Sequence, residues 1–157
     1  MEIPGLAEIK KDLSFLSEKE LIGLITGLAK FSRDNKAFLY FKLNERDQPN
    51  LFVDMVKEEL DEAFQTANTR NYHLAKKAAQ AIRRKLNKAL KLNKNKADQV
   101  ELILYFCEQL KKYEYLKHRH PVIDNLYKVQ VGKAVKLINT LHEDLQSDYF
   151  YRIEELE

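Results

Sequence analysis

Residues 100–107 read VELILYFC, and this stretch decides the fold class of the chain. Seven of its eight residues are apolar or aromatic, and Leu110 follows one turn later, so apolar side chains cover nearly every side of a helix. A helix with that pattern is buried on all sides. Asn95 and Asp98 before it are typical of an N-cap and of a first-turn acid. We therefore predict a central, buried helix over residues 96–116.

Helical periodicity continues on both sides of this stretch. Ser17 and Glu20 have the spacing of a capping box, with Leu16 and Leu21 placed as its hydrophobic staple, and they predict a helix over residues 18–31. Asn50 is expected to cap a further helix, and Pro121 to be the first residue of another. The remaining predicted helices cover residues 5–15, 36–43, 51–67, 72–92, 121–141 and 147–156.

Composition agrees with an all-helical chain. Only four Gly and three Pro occur in 157 residues, which disfavours tight hairpins and long irregular stretches, while 16 Phe and Tyr supply material for a core. We predict a single all-α domain over residues 1–157, with seven or eight helices arranged as antiparallel hairpins. A HEAT-like α-solenoid and a compact helical bundle both fit. The tripeptide Glu-Leu-Ile, which starts at Glu20 and again at Glu101, is a hint of repeats.

The pattern over residues 16–22, the basic segment 76–90 and the aliphatic-aromatic segment 102–107 together carry a resemblance. The chain resembles small bacterial all-α proteins of an uncharacterised, HEAT-like family over most of its length. The resemblance implies a helical fold. It implies no catalytic residue and no activity, because that family has none assigned.

Charge is sorted along the sequence. Between Glu62 and Asp98 there are ten Lys and Arg residues and no acidic residue, which makes a segment of +10. The whole chain is only +3, so the remaining 17 basic and 24 acidic residues give −7. Sorting of this kind can create a surface that attracts polyanions.

On a helical wheel, the basic segment 70–96 separates an apolar face from a charged one. We interpret the charged side as a candidate surface for nucleic acid or another polyanion. The alternative is a solvated face that is partly neutralised by the acidic helix 51–67. The candidate residues are Lys76, Lys77, Arg83, Arg84, Lys88 and Lys91.

The C-terminal segment interleaves acidic and aromatic residues. Tyr149, Phe150 and Tyr151 form a candidate surface for a protein partner or for a second copy of the chain, and a solvated amphipathic end helix is the alternative. In the helix over residues 18–31, Gly23 and Gly27 are four residues apart. This spacing predicts the close approach of a neighbouring helix.

No pattern in the chain points to catalysis or to a cofactor. A Gly-rich phosphate loop and a Glu-x-x-His pair are both absent, and Cys107 lies in an apolar stretch that predicts a buried, inert thiol. His118 and His120 have no second pair at ligand spacing, so we expect no metal. No run approaches the 18 apolar residues of a membrane span, and the N-terminus lacks a secretory signal.

These patterns predict a non-enzymatic helical scaffold or adaptor that binds a protein partner in a bacterial cytoplasm. The alternative function is binding of nucleic acid or another polyanion through segment 70–96. The two differ in salt dependence, because phosphate contacts weaken steeply with salt. The sequence leaves the partner and the oligomeric state open.

Overall fold

The computed structural model describes all 157 residues, and every regular element in it is helical. Eight α-helices occur together with one short 3-10 helix, Tyr115–His118. This confirms the predicted all-α class with seven or eight helices. The α-helices are α1 (Leu6–Leu13), α2 (Glu18–Phe31), α3 (Arg33–Asn44), α4 (Leu51–Thr66), α5 (Tyr72–Leu92), α6 (Lys96–Lys112), α7 (Pro121–Ile138) and α8 (Glu143–Leu156).

The chain divides into two units. The N-terminal unit, Met1–Leu43, contains α1, α2 and nearly all of α3, and the C-terminal unit, Asn44–Glu157, contains α4 to α8. All 23 buried hydrophobic residues lie in the C-terminal unit. The assignment of residues 1–157 to one domain stays a prediction.

The C-terminal unit is a compact bundle around α6. This helix packs against α4, α5, α7, α8 and the 3-10 helix, and α7 is its main neighbour. Eight residues of α6 are buried, so the predicted central position of this helix is confirmed. A helix that touches four others at once belongs to a bundle, since in a solenoid each repeat contacts only its neighbours.

An aromatic cluster joins α4 to the end of α6. The Phe64 ring lies 5.8 Å from the Phe106 ring and is stacked at 5.5 Å on the Tyr113 ring. The buried Tyr115 ring meets Phe64 edge-on at 5.7 Å. Such ring pairs contribute about 0.5–1.5 kcal/mol each beyond the area that they bury.

Several helix boundaries follow the predictions. The Ser17 capping box is present, with the Glu20 amide donating to the Ser17 hydroxyl at 3.2 Å and the Ser17 amide to the Glu20 carboxylate at 2.8 Å. Asn95 caps α6 by accepting from the Asp98 amide at 3.1 Å. Pro121 is the first residue of α7.

Other boundaries differ. Asn50 is the N-cap residue of α4 as predicted, but its side chain makes no capping hydrogen bond. Helix α6 ends at Lys112 instead of about residue 116, because Glu114 adopts a left-handed conformation with φ of 62° that stops the helix. Helix α8 begins at Glu143, one turn before Ser147, since His142 provides the cap.

The N-terminal unit has no buried residue in any of its helices. No two of these helices form an interface like those of the C-terminal unit. A single residue, Ser32, links α2 to α3, and the Asn35 side chain donates to the Leu28 carbonyl at 2.8 Å across that link. A Cβ atom added to Gly23 or Gly27 would meet nothing within 4 Å, so the predicted close approach of a neighbouring helix is absent.

Candidate interaction surfaces

The most exposed apolar surface lies on α2. Ile22, Leu24, Ile25, Leu28 and Phe31 share one half of this helix, which we call the α2 apolar face. Their exposed fractions run from 45% for Ile25 to 85% for Phe31. Single exposed apolar residues are ordinary, but five on one helix face that covers no core mark an interaction site.

Helices α1 and α3 and the residues beside them also expose apolar side chains. Leu6 of α1 is 84% exposed, Phe15 after α1 is 78% exposed, and Leu43 at the end of α3 is 72% exposed. The sequence pattern correctly predicted amphipathic helices here. It carried no signal that the apolar sides lack a neighbour, because periodicity is the same for a covered and an uncovered face.

The basic side of α5 is arranged as the helical wheel predicted. Its apolar side is buried through Ala75, Ala79, Ile82 and Leu86. Lys77, Arg84, Lys88 and Lys91 are exposed on the opposite side, while Lys76 and Arg83 are half-buried at its border. Lys77, Arg84 and Lys91 make no ion pair, and the buried Arg83 Nε has no hydrogen-bond partner. We call Lys77, Arg84 and Lys91 the basic face.

Few aromatic side chains lie near this face. Tyr72, the first residue of α5, is 59% exposed, and its ring stacks on the His120 ring at 5.5 Å. His120 in turn caps α7, with its Nδ1 accepting from the Val122 amide at 3.1 Å. One face of Tyr72 is thus occupied, which leaves less room for the stacking of a nucleobase.

The aromatic residues of α8 are mostly covered. Tyr149 and Phe150 are half-buried, and the Arg152 guanidinium lies 6.0 Å from the Tyr149 ring. Burial, followed by the charge of Glu101, raises the pKa of the Tyr149 hydroxyl. Of the three predicted partner residues only Tyr151 is exposed, at 64%. Their role as a partner surface stays a prediction.

A charged cluster joins α4 and α8 to α6. The Glu101 carboxylate of α6 pairs with Lys57 Nζ of α4 at 2.6 Å and with Arg152 Nη1 of α8 at 2.5 Å. Arg152 Nε also pairs with Glu108 at 2.8 Å. Burial acts to raise the pKa of Glu101, but the hydrogen bonds and charges of Lys57 and Arg152 outweigh it and lower the pKa. The cluster therefore stabilises the bundle, and each of its charged groups is held in an ion pair.

Cys107 and His142 both lie in surroundings that point to a structural role. Cys107 is fully buried, as predicted, and burial raises the pKa of its thiol to about 12. His142 accepts from the Asp144 amide at 3.3 Å and caps α8. No group of three or more His, Cys, Asp or Glu side chains is placed to hold a metal ion.

None of the α-helices has both the length and the apolar character needed to cross a lipid bilayer. We compared the chain with protein-family models, with curated proteins and with solved structures, and none of them matches. The resemblance to an uncharacterised bacterial HEAT-like family stays a prediction.

Proposed function

We propose that this protein is a non-enzymatic helical scaffold or adaptor of the bacterial cytoplasm, and that its N-terminal unit binds a protein partner. One observation carries the proposal: the α2 apolar face is exposed, and no residue of α1, α2 or α3 is buried. A segment of this kind acquires a core only when another surface covers it.

Burial of exposed apolar side chains supplies the free energy for this binding. Covering one exposed Leu, Ile or Phe side chain is worth about 1.5–3 kcal/mol. A partner that covers Ile25, Leu28 and Phe31 together therefore gains several kcal/mol, which is the scale on which a few central residues dominate an interface. The C-terminal unit has its own core and does not depend on that partner.

Site-specific photo-crosslinking tests the proposal. A photoreactive amino acid replaces Leu28 in the full chain, and in a matched variant it replaces Val129, an exposed apolar residue of α7. We expect discrete protein adducts from position 28 in cells and none from position 129. A folded chain that forms no protein adduct at position 28 would contradict the proposal.

A second candidate function is binding of nucleic acid or another polyanion through the basic face. It is supported by the exposure of Lys77, Arg84 and Lys91 and by the lack of an ion pair at each of them. Lysine and arginine heads spaced along one side of a helix can follow a phosphate backbone.

Fluorescence anisotropy with labelled DNA and RNA distinguishes the two functions. With three phosphate contacts, one from each basic-face residue, affinity should fall roughly fortyfold between 50 and 200 mM salt. Reversing the charge at the three basic-face positions, Lys77→Glu, Arg84→Glu and Lys91→Glu, should abolish binding. The matched control reverses Lys128, Lys133 and Lys136, which are exposed on α7. Equal binding by both triple variants would rule out the basic face.

A further inference from the structure

We infer that the partner covering the α2 apolar face is a second copy of this chain, packed helix against helix. This inference rests on the proposed function, since it names the partner of the same surface. Three properties of the N-terminal unit support it: the spacing of the apolar residues, the amount of apolar surface and the balance of charge.

The spacing indicates a helix as the occupant. Leu21, Leu24, Leu28 and Phe31 follow one another at intervals of three, four and three residues. Apolar residues at alternating steps of three and four form the seam along which two helices pack. No proline interrupts Glu18–Phe31, so α2 is one continuous helix along the whole seam.

The exposed area is sufficient for a dimer. The exposed apolar residues of the N-terminal unit amount to about 1,000 Å², of which the α2 apolar face supplies about half, so an interface of the standard size of roughly 800 Å² per partner has to include residues of α1 and α3 as well. They include Leu6, Leu13, Phe15, Ile22, Leu24, Ile25, Leu28, Phe31, Phe38 and Leu43.

Charge favours a copy of the same unit. Residues 1–43 contain seven basic and six acidic residues, a net charge of +1, with both signs interspersed. The net charge of two such units opposes their association only weakly, because each carries a single excess positive charge. The same balance gives no long-range attraction to an anionic lipid surface or to a strongly charged protein.

A symmetric pair of identical chains is the most common form of closed assembly.

Sedimentation equilibrium of the full chain tests the inference. We expect the wild-type chain to have twice the 18.5 kDa mass of one chain, and Leu28→Glu to raise the dimer dissociation constant by about a hundredfold or more. Leu28 is exposed in the single chain, so this change leaves the fold intact, and circular dichroism checks that its helicity is unchanged. Leu28→Ala should give a smaller loss in the same direction.

Two matched variants locate the interface. Val129→Glu places the same charge on an exposed position of α7, and Tyr151→Glu places it on α8. Both should leave the dimer intact. A dimer broken by Tyr151→Glu but not by Leu28→Glu would move the interface to α8 and overturn the inference.

The inference and the proposed function fail in different ways. A chain that stays monomeric at the highest concentration tested would overturn the inference that the partner is a second copy. If position 28 then crosslinks to a different protein, the proposed function stands without the inference. If position 28 crosslinks to no protein at all, both fail.

Discussion

Helices α2 and α6 have similar compositions and opposite surroundings. Half of the 14 residues of α2 are apolar, and so are nine of the 17 in α6. Yet α6 buries eight residues and α2 buries none. Apolar content therefore does not decide burial. What decides it is whether the chain supplies neighbours, and α6 has four neighbouring α-helices while the helices around α2 do not pack along it.

The difference separates two kinds of stability. The C-terminal unit has a core, an aromatic cluster and the charged cluster at Glu101. The N-terminal unit has local features only, namely caps and a link hydrogen bond. Local interactions alone give marginal helices in water, so α2 should be less stable than the helices of the C-terminal unit.

Thiol labelling should give the largest contrast between the two units. The variant Leu28→Cys has one cysteine on each of the two helices. Because burial, then the charge of Glu108, raises the pKa of Cys107 to about 12, its thiolate at pH 8 is on the order of a thousand times scarcer than that of an exposed cysteine. We expect iodoacetamide, at nanomolar chain concentration, to modify position 28 at least about a thousandfold faster. In urea the two rates should become equal, and similar rates in the native chain would contradict the contrast.

Truncation of a leucine should lower the free energy of unfolding in the C-terminal unit by several kcal/mol more than in the N-terminal unit. Leu104 of α6 is fully buried, so Leu104→Ala should lower the free energy of unfolding by about 3–4 kcal/mol. At a concentration where the chain is monomeric, Leu28→Ala should change it by less than about 0.5 kcal/mol, because the C-terminal unit does not include that residue. Urea unfolding followed by circular dichroism measures both. Equal losses would mean that one cooperative core includes both units.

The charged cluster should make the C-terminal unit sensitive to acid. The pKa of Glu101 lies below its ordinary value of 4.5, so its ionised form stabilises the folded state fully above pH 4.5, and this contribution is lost as the pH falls below that value. Glu101→Gln should cost about 2 kcal/mol at pH 7 and progressively less below pH 4.5. The exposed Glu58→Gln is the control and should show no such trend. A constant difference at all pH values would contradict the assignment.

Gln130 offers a gain in stability. This residue of α7 is fully buried, and neither atom of its amide has a hydrogen-bond partner. An unpaired buried amide loses its hydration without compensation, so Gln130→Met should raise the free energy of unfolding by about 1 kcal/mol. The exposed Gln65→Met of α4 should have little effect. Destabilisation by Gln130→Met would show that the amide is satisfied.

The smallest effect should come from the α2 cap. Ser17→Ala removes the capping box and should cost α2 about 1 kcal/mol, which raises hydrogen exchange of its amides about fivefold. The midpoint of global unfolding should not change, since α2 lies outside the core. Ser147→Ala, inside α8, is the matched control and should leave α2 exchange unaltered. A shift of the global midpoint would show that α2 unfolds together with the core.

The sequence was sufficient for features that are set locally. The capping box at Ser17, the proline start of α7 and the apolar middle of α6 each depend on residues within a few positions of one another. Their chemistry acts in the same way in any fold, so the pattern predicted them correctly.

Features set by distant residues were missed. The early end of α6 depends on the left-handed conformation of Glu114, which its residue type does not favour and which the sequence pattern therefore did not predict. The exposure of α2 depends on whether other helices pack on it, and its own sequence does not determine that. The half-buried positions of Tyr149 and Phe150 likewise depend on how α8 lies on α6 and α7.

Arg152 has a consequence for synthesis on the ribosome. Glu101 and Glu108 of α6 take their guanidinium partner from α8, about fifty residues later in the chain. During synthesis these two carboxylates are made before Arg152 and lack this partner until α8 has left the exit tunnel. The ion pairs between α6 and α8 therefore form only once α8 has been made, so this cluster is completed late in the synthesis of the C-terminal unit.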